Sequence, residues 1–160
     1  MQAGMKEDMI EKKTHPGSAS ALQVLEKCRS SVSTLNTLRR QRAILTARAT
    51  DVSPHYSATP RTRGRITDRV GDLVPELDAV TRQIDTELRT TNHLLHISSA
   101  LVQTLPTPTM QALARGYWLT GLSFADSARA VPLSSSYAWR VRERIETFLS
   151  QVEVPEGYLG

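Results

Sequence analysis

Apolar side chains follow a strict three- and four-residue spacing through the middle of this chain. Such spacing keeps one face of a helix apolar over many turns and is typical of a coiled coil. The residues are Ile66, Val70, Leu73, Leu77, Val80, Ile84 and Leu88, continued by Leu94 or Leu95, Leu101 and Leu105. We therefore predict a helix from about Gly64 to Leu105. Pro75 lies inside it and costs roughly 3 kcal/mol there, so we expect a kink or a break near Leu73.

A second apolar stripe precedes the first. Ser20 and Gln23 have the spacing of a capping box at a helix start, and we predict a helix that ends near Thr50. The stripe consists of Leu22, Leu25, Cys28, Val32, Leu35, Leu38 and Leu45, with Arg42 interrupting it. The position of Cys28 in this stripe favours a buried apolar role over that of a reactive thiol.

The two stripes predict an all-α fold that begins with a long antiparallel helical hairpin, a coiled coil. Pro54 and Pro60 exclude a continuous helix from the linker between them, which is long enough to reverse the chain. Two helices cannot bury both sides of such stripes, so we expect self-association, most simply as a homodimer. The linker leads into a basic run, for which a solvated surface is favoured over contact with DNA or an acidic partner. This run is Arg61, Arg63, Arg65 and Arg69.

Helix start and stop signals follow one another closely in the last third of the chain. The starts are Thr107 with Pro108, Ser123 with Asp126, and Ser134, and the ends are Gly121 and Val131-Pro132-Leu133. The short middle helix is expected to turn Phe124, Ala125 and Ala128 inward. The apolar face of the last helix is expected to be Ala138, Val141, Ile145 and Phe148 or Leu149. A short helix, a tight turn and a longer basic helix predict a helix-turn-helix, which inserts its last helix into the major groove.

The last predicted helix carries most of the candidate DNA-binding residues, because polar side chains near its N-terminal end would meet base edges or phosphates. The candidates are Ser135, Ser136, Tyr137, Trp139, Arg140, Arg142 and Arg144, with Arg115 and Arg129 as contacts to the DNA backbone. Ser136, Arg140 and Arg144 share one helical face and are the preferred base contacts. We expect Arg142 to point elsewhere, to a phosphate or to Glu146.

The same segment carries a family resemblance. It reads RGYWLTGLSFADSARAVPLSSSYAWRVRERIETFL. An Arg-Tyr pair is followed by a small turn, a short helix, and a Ser-started helix with an aromatic-Arg-apolar-basic run, Trp139 to Arg142. This pattern resembles the C-terminal module of the RinA/ArpU-type phage late-gene transcription regulators, which is similar to sigma-factor region 4. Two departures are Gly116, inserted into the Arg-Tyr pair, and Ser127, which replaces an apolar residue.

The resemblance implies a plan and a function for the whole chain. The plan is a long helical hairpin followed by the sigma-like module. The function implied is that of a sequence-specific DNA-binding transcription regulator of phage or prophage origin. Its partners would be promoter double-stranded DNA and, as a further expectation, RNA polymerase. No enzyme activity and no cofactor is expected.

The composition of the chain and the positions of its helix-breaking residues set the remaining expectations. The chain has 160 residues and a net charge of +4, which agrees with a nucleic-acid partner. A single cysteine suits a reducing compartment, and we find neither a membrane-spanning run nor a signal peptide, so we expect the bacterial cytoplasm. The expected organisation is a flexible tail (1–18), the hairpin (19–105), a hinge at 105–108, the helix-turn-helix (107–151) and an irregular tail (152–160).

Metal and nucleophile chemistry are not favoured. His93 and His96 lie three residues apart on one helix but lack the further ligands of a metal site. The serines at 134–136 lack a histidine partner, so helix capping is the preferred role.

Two other functions stay open. One is the small subunit of a phage terminase, which also joins a helix-turn-helix to an oligomerising hairpin and would form a ring. The other is an adaptor that binds a protein partner through the hairpin, with the terminal arginines merely solvated. Trp139 is equally compatible with the DNA surface and with burial against the hairpin.

Overall fold

The chain is mostly helical, which confirms the all-α class. The computed structural model describes residues 17–50 and 63–159, with side chains of the second helix described from residue 71 onward. In chain order the elements are β1 (Ser18–Ser20), α1 (Ala21–Thr50), α2 (Arg63–Gln103), α3 (Pro108–Ala114), a π-helical segment (Arg115–Leu119), α4 (Phe124–Ala130), α5 (Ser135–Ser150), β2 (Glu153–Pro155) and a 3₁₀ turn (Glu156–Tyr158). Within the described ranges, no helix is both long enough and apolar enough to cross a bilayer.

Several expectations concern parts of the chain outside this description. They are the flexible tail up to residue 16, the linker prolines Pro54 and Pro60, and the side chains of the basic run Arg61 to Arg69. These expectations stay predictions.

α1 begins at its predicted capping box. The N–H of Gln23 donates to Oγ of Ser20 at 3.3 Å, and the N–H of Ser20 donates to Oε1 of Gln23 at 3.1 Å. Reciprocal bonds of this kind satisfy donors that a helix start leaves unpaired. α1 extends to Thr50, the last residue described before the linker.

α2 continues through Pro75, so the break considered near Leu73 is not present. The proline removes one backbone donor from the helix. Leu73 and Leu77 flank it and pack into an apolar cluster with Leu35 and Leu45 of α1. This packing supports the helix on both sides of the proline, because tertiary burial outweighs local propensity.

α1 and α2 pack with opposite chain directions along a seam that contains polar groups. The Ser31 hydroxyl bonds to the Thr91 hydroxyl at 2.7 Å and to a Glu87 carboxylate oxygen at 2.5 Å. One turn earlier in α1, Cys28 is fully buried beside Ser98, which confirms its place in the core. Burial raises the pKa of the Cys28 thiol, and the neighbouring Ser98 hydroxyl only partly opposes this.

The C-terminal segment predicted to be irregular is ordered, and that prediction is wrong. β2 pairs antiparallel with β1, with Ala19 opposite Val154. The N–H of Ala21 donates to the carbonyl of Val152 at 2.7 Å, which continues the pairing into the start of α1. Val154 is 7% exposed. The two ends of the described chain therefore close on each other.

One core joins the start of α1 to the C-terminal helices. Trp118, from the π-helical segment, is fully buried in it. The other members are Ala21, Val24 and Leu25 of α1, Val102 of α2, Leu105, Met110, Leu113 and Ala114 around α3, Val141, Ile145 and Leu149 of α5, and Val154 of β2. Leu105 is buried at the segment expected to be a hinge, and its carbonyl accepts a bond from Nε2 of Gln111 at 3.0 Å. The core thus runs across this connection.

Two of the three predicted caps are confirmed. Oγ1 of Thr107 accepts from the N–H of Met110 at 3.2 Å at the start of α3, and Oγ of Ser123 accepts from the N–H of Asp126 at 3.1 Å at the start of α4. Ser134 occupies the N-cap position of α5 with an extended backbone, but its side chain makes no capping bond. The capping role predicted for the Ser134 hydroxyl is therefore wrong.

The inward face of α4 differs from the prediction in one residue. Phe124 is partly buried and Ala128 is buried, as expected, whereas Ala125 is exposed and Ser127 is buried in its place. The Ser127 hydroxyl donates to the Ser123 carbonyl at 2.9 Å, so its burial leaves no polar group unsatisfied.

Candidate nucleic-acid interface

α5 separates an apolar face from a polar one. Its buried residues are Ala138, Val141, Ile145 and Leu149, as the sequence pattern predicts. Ser136, Arg140 and Arg144 lie on the outside and are exposed. The three residues preferred as base contacts are therefore accessible. Ser135 and Tyr137 are also exposed, at the N-terminal end of the helix.

Arg140 and Arg144 make no ion pair with any other residue that the structure describes. The two ion pairs among the described residues are made by other arginines. Both side chains line an open groove, which continues along Pro106, Met110, Glu143, Thr147, Phe148 and Gln151. The floor of this groove is partly apolar, and its rim carries two cations and one anion.

Glu143 lies on the same polar face as the two arginines, and the sequence reasoning did not include it. It is exposed and makes no ion pair within the part of the chain that the structure describes. Its place in the sequence, three residues after Arg140 and next to Arg144, carries the signal that would have revealed it.

Arg142 is directed into the molecule. Its Nε donates to Oε1 of Glu146 at 2.8 Å, and its guanidinium carbon lies 4.6 Å from the ring centre of Tyr117, 5.2 Å from that of Trp139 and 5.3 Å from that of Phe124. Partial burial opposes the charge, but the bond to Glu146 and the Tyr117 hydroxyl outweigh it and raise the pKa of Arg142. The sequence predicts two alternative partners for Arg142, a DNA phosphate and Glu146. The bond seen in the structure is the one to Glu146.

Trp139, for which the sequence leaves the DNA surface and burial equally open, is half exposed. Its ring lies against Phe124 of α4, with 4.5 Å between ring centres, and 52% of the residue stays exposed. We call the group formed by Tyr117, Phe124, Trp139 and Arg142 the aromatic–arginine cluster. It joins the π-helical segment, α4 and α5 and fixes their relative orientation.

The two arginines proposed as contacts to the DNA backbone have different surroundings. Arg115 is exposed at the start of the π-helical segment. Arg129 pairs with Asp126 at 3.2 Å on the surface of α4. An exposed pair of this kind contributes little to stability and opens easily, so the charge of Arg129 stays accessible.

Arg29 of α1 is a positioning residue that sequence reasoning missed. Its guanidinium donates to the carbonyl of Tyr117 and, at 2.9 Å, to the carbonyl of Leu122, and it lies 3.8 Å from the Tyr117 ring centre. Beside it, Nε1 of Trp118 donates to Oε1 of Glu26 at 3.1 Å. These contacts hold the segment before α4 against α1.

Among the described residues, no further metal ligands join the two histidines considered as a metal site. Nε2 of His93 lies 2.5 Å from the carbonyl oxygen of Tyr158, in the 3₁₀ turn near the chain end. No group of three or more histidine, cysteine or acidic side chains suited to a metal occurs among the described residues.

Comparisons with known proteins found no match for this chain. No family model, no curated protein and no solved structure matches the chain.

Proposed function

We propose that this chain is a sequence-specific DNA-binding regulator of transcription, with α5 as the helix that enters the major groove. In this proposal α1 and α2 act as a helical hairpin, and α3, α4 and α5 act as a sigma region 4-like helix-turn-helix. One observation carries it: Arg140 and Arg144 are exposed and unpaired within the described residues, on a helix that follows a short helix and a four-residue connection.

The chemistry of the α5 face supports base recognition as well as charge. A guanidinium presents two parallel donors and can bind O6 and N7 of a guanine. Glu143, between the two arginines, can accept a hydrogen bond from N4 of a cytosine. The Ser136 hydroxyl can either donate to or accept from a base edge. A face that served only phosphates would gain nothing from the carboxylate of Glu143.

The aromatic–arginine cluster supports the proposal from the other side of α5. A helix that reads bases must be held in one orientation by its own packing. Arg142 lies over the Tyr117 ring and Trp139 packs against Phe124, so both residues hold α5 in position. We therefore remove Arg142 from the set of DNA contacts and keep Arg140, Arg144 and Ser136.

A homodimer is part of the proposal. Ile44 and Val74 are 54% and 53% exposed on α1 and α2 and offer apolar surface for a second copy. Dimeric helix-turn-helix proteins bind two half-sites about one turn of DNA apart, roughly 34 Å. Sedimentation equilibrium tests this, because a ring-sized oligomer would instead favour a terminase small subunit. Contact with RNA polymerase is a further part of the sigma-like proposal.

Replacing Arg140 and Arg144 by alanine tests the proposal directly. The wild-type protein first selects its preferred duplex from a randomised pool, and fluorescence anisotropy then gives Kd for each variant. Each base-contacting arginine is worth about 1–3 kcal/mol, or roughly 5- to 150-fold in Kd, and its loss relaxes sequence preference. The matched control is Arg82→Ala with Arg89→Ala, which removes the same charge from exposed positions on α2.

Two results would contradict the proposal. If the wild-type protein enriches no duplex from the pool, the chain is not a sequence-specific DNA-binding protein. If the Arg140→Ala/Arg144→Ala protein keeps the wild-type Kd and preference, α5 is not the reading helix, and the arginines are solvated as in an adaptor.

A further inference from the structure

α1 carries charge of a single sign over most of its length. From Lys27 to Thr50 it contains one lysine, five arginines and no acidic residue. Arg39, Arg40, Arg42 and Arg48 are exposed. No ion pair within the described ranges involves any of them. This half of the hairpin therefore presents positive charge that the described part of the chain does not neutralise.

The cationic helix also has a polar face next to the C-terminal helices. We define the outer face of α1 as Ser30, Ser33, Asn36, Thr37 and Arg40, all of which are exposed. These residues line a groove that extends along α1 to Gly121 and that Glu26, Arg29 and Thr34 also line. The Glu26 carboxylate there is already bonded to Nε1 of Trp118. Gly121 lies two residues before Ser123, the N-cap of α4, so the outer face borders the segment that leads into the proposed helix-turn-helix.

The side chains of this face are the types that bind phosphate. Arginine, serine, threonine and asparagine are among the side chains that hydrogen-bond to the DNA backbone, where such contacts set position without reading sequence. In a helix-turn-helix, the helix before the reading helix crosses the DNA backbone. A cationic surface that borders the start of α4 is well placed to extend such a contact.

α2 is the other surface that could attract α1 in a second copy, but its charges are mixed. Between residues 71 and 103 it has five acidic residues and two arginines. Asp78 lies four residues before Arg82, and Asp85 four before Arg89, a spacing that lets each pair partly neutralise itself. Glu87 is already bonded to Ser31 in the seam. A duplex, with uniform negative charge, fits α1 better.

We propose that the outer face of α1, with Arg39 at its edge, binds the phosphate backbone of double-stranded DNA beside the duplex segment that α5 reads. This inference rests on the proposed function, because it extends the same DNA contact. The outer face supplies affinity and salt dependence, and α5 supplies sequence preference.

The test replaces Arg39 and Arg40 by glutamine, with Arg82→Gln/Arg89→Gln as the control on α2. Binding is measured by fluorescence anisotropy over a range of salt concentrations, on the selected duplex and on one of arbitrary sequence. Loss of one or two phosphate contacts should lower the slope of log K against log salt by about 1 to 2 and weaken binding roughly 5- to 30-fold near physiological salt. Both duplexes should be affected alike, and the control should bind as wild type.

The possible outcomes distinguish failure of the α1 contact from failure of the proposed function. Wild-type affinity and salt slope in the Arg39→Gln/Arg40→Gln protein, while Arg140→Ala/Arg144→Ala still loses preference, would overturn the α1 contact and leave the proposed function standing. A change from dimer to monomer by sedimentation, with an unchanged salt slope, would assign the arginines to a second copy and overturn it too. Failure of the wild-type protein to bind any duplex would remove both proposals.

Discussion

Gly116 and Ser127 show how two single residues set the approach of two helical segments. A Cβ added at Gly116 would lie 3.2 Å from Oγ and 3.3 Å from Cβ of Ser127, which is fully buried. The chain around Gly116 is π-helical, and the N–H of Thr120 donates to the carbonyl of Arg115 at 2.9 Å, five residues back. A π-helical turn accommodates one more residue than an α-turn.

Replacing Gly116 by alanine should therefore lower the free energy of unfolding. Alanine is worth about 0.5–1 kcal/mol over glycine within a helix, but overpacking typically costs roughly 1–3 kcal/mol. Ser127 is fully buried and is held by its bond to the Ser123 carbonyl. Urea denaturation measures the change.

The control for this substitution is Gly71→Ala in α2, where no atom of the described side chains lies within 4 Å of an added Cβ. That variant should gain about 0.5–1 kcal/mol from helix propensity alone. Equal stabilisation by Gly71→Ala and Gly116→Ala would show that the contact with Ser127 is not tight.

At the scale of elements, local chemistry determines what the sequence predicts well. The capping bonds of Ser20, Thr107 and Ser123 involve residues three positions apart, so the sequence shows both partners. Gly121 has a φ of +74°, which glycine adopts readily at a helix end. The buried residues of α5 also follow directly from their spacing.

Elements whose partners lie far away in sequence were not predictable in the same way. β2 forms because β1 lies beside it, more than a hundred residues earlier. Ser127 rather than Ala125 is buried on the inward face of α4. In a seven-residue helix with mostly small side chains, the sequence pattern does not determine which face turns inward. Arg29 looks like any arginine of a basic helix, and its acceptors, the carbonyls of Tyr117 and Leu122, carry no sequence signal.

Replacing Arg29 by methionine tests the connection between α1 and the segment before α4. Methionine keeps much of the apolar stem but removes the donors to both carbonyls and the charge over the Tyr117 ring. Hydrogen bonds from charged groups contribute about 1.5–3 kcal/mol each, so we expect a loss of roughly 2 kcal/mol or more in unfolding free energy. Chemical denaturation of this variant and of Lys27→Met, at an exposed position of the same helix, gives the comparison. A loss no larger than that of Lys27→Met would contradict the positioning role.

For the whole molecule, the position of the core matters more than the number of helices. The sequence predicts a hairpin and a C-terminal module joined by a hinge, because each has its own apolar pattern. In the structure, Leu25 of α1, Val102 of α2, Trp118 and Ile145 of α5 belong to one buried cluster. The strand pair β1–β2 closes the same cluster with Val154. Such an arrangement should unfold as one cooperative unit.

We therefore expect one unfolding transition that two separate probes report alike. Far-UV circular dichroism follows the helices, of which α1 and α2 are the longest. Trp139→Phe removes the exposed tryptophan and leaves the buried Trp118 as the one tryptophan reporting on the shared core. The urea midpoints from fluorescence and from circular dichroism should coincide in this variant.

Val154→Asp in the same background should then lower both midpoints together. It places a charge at a buried position of β2, which costs several kcal/mol. Glu153→Asp, at the neighbouring exposed position, should leave both midpoints near their starting values. If the Trp118 signal is lost at low urea while most of the helical signal remains, the C-terminal helices unfold independently of α1 and α2. The shared cluster would then contribute little to stability, and the connection at residues 104–107 would act as a hinge after all.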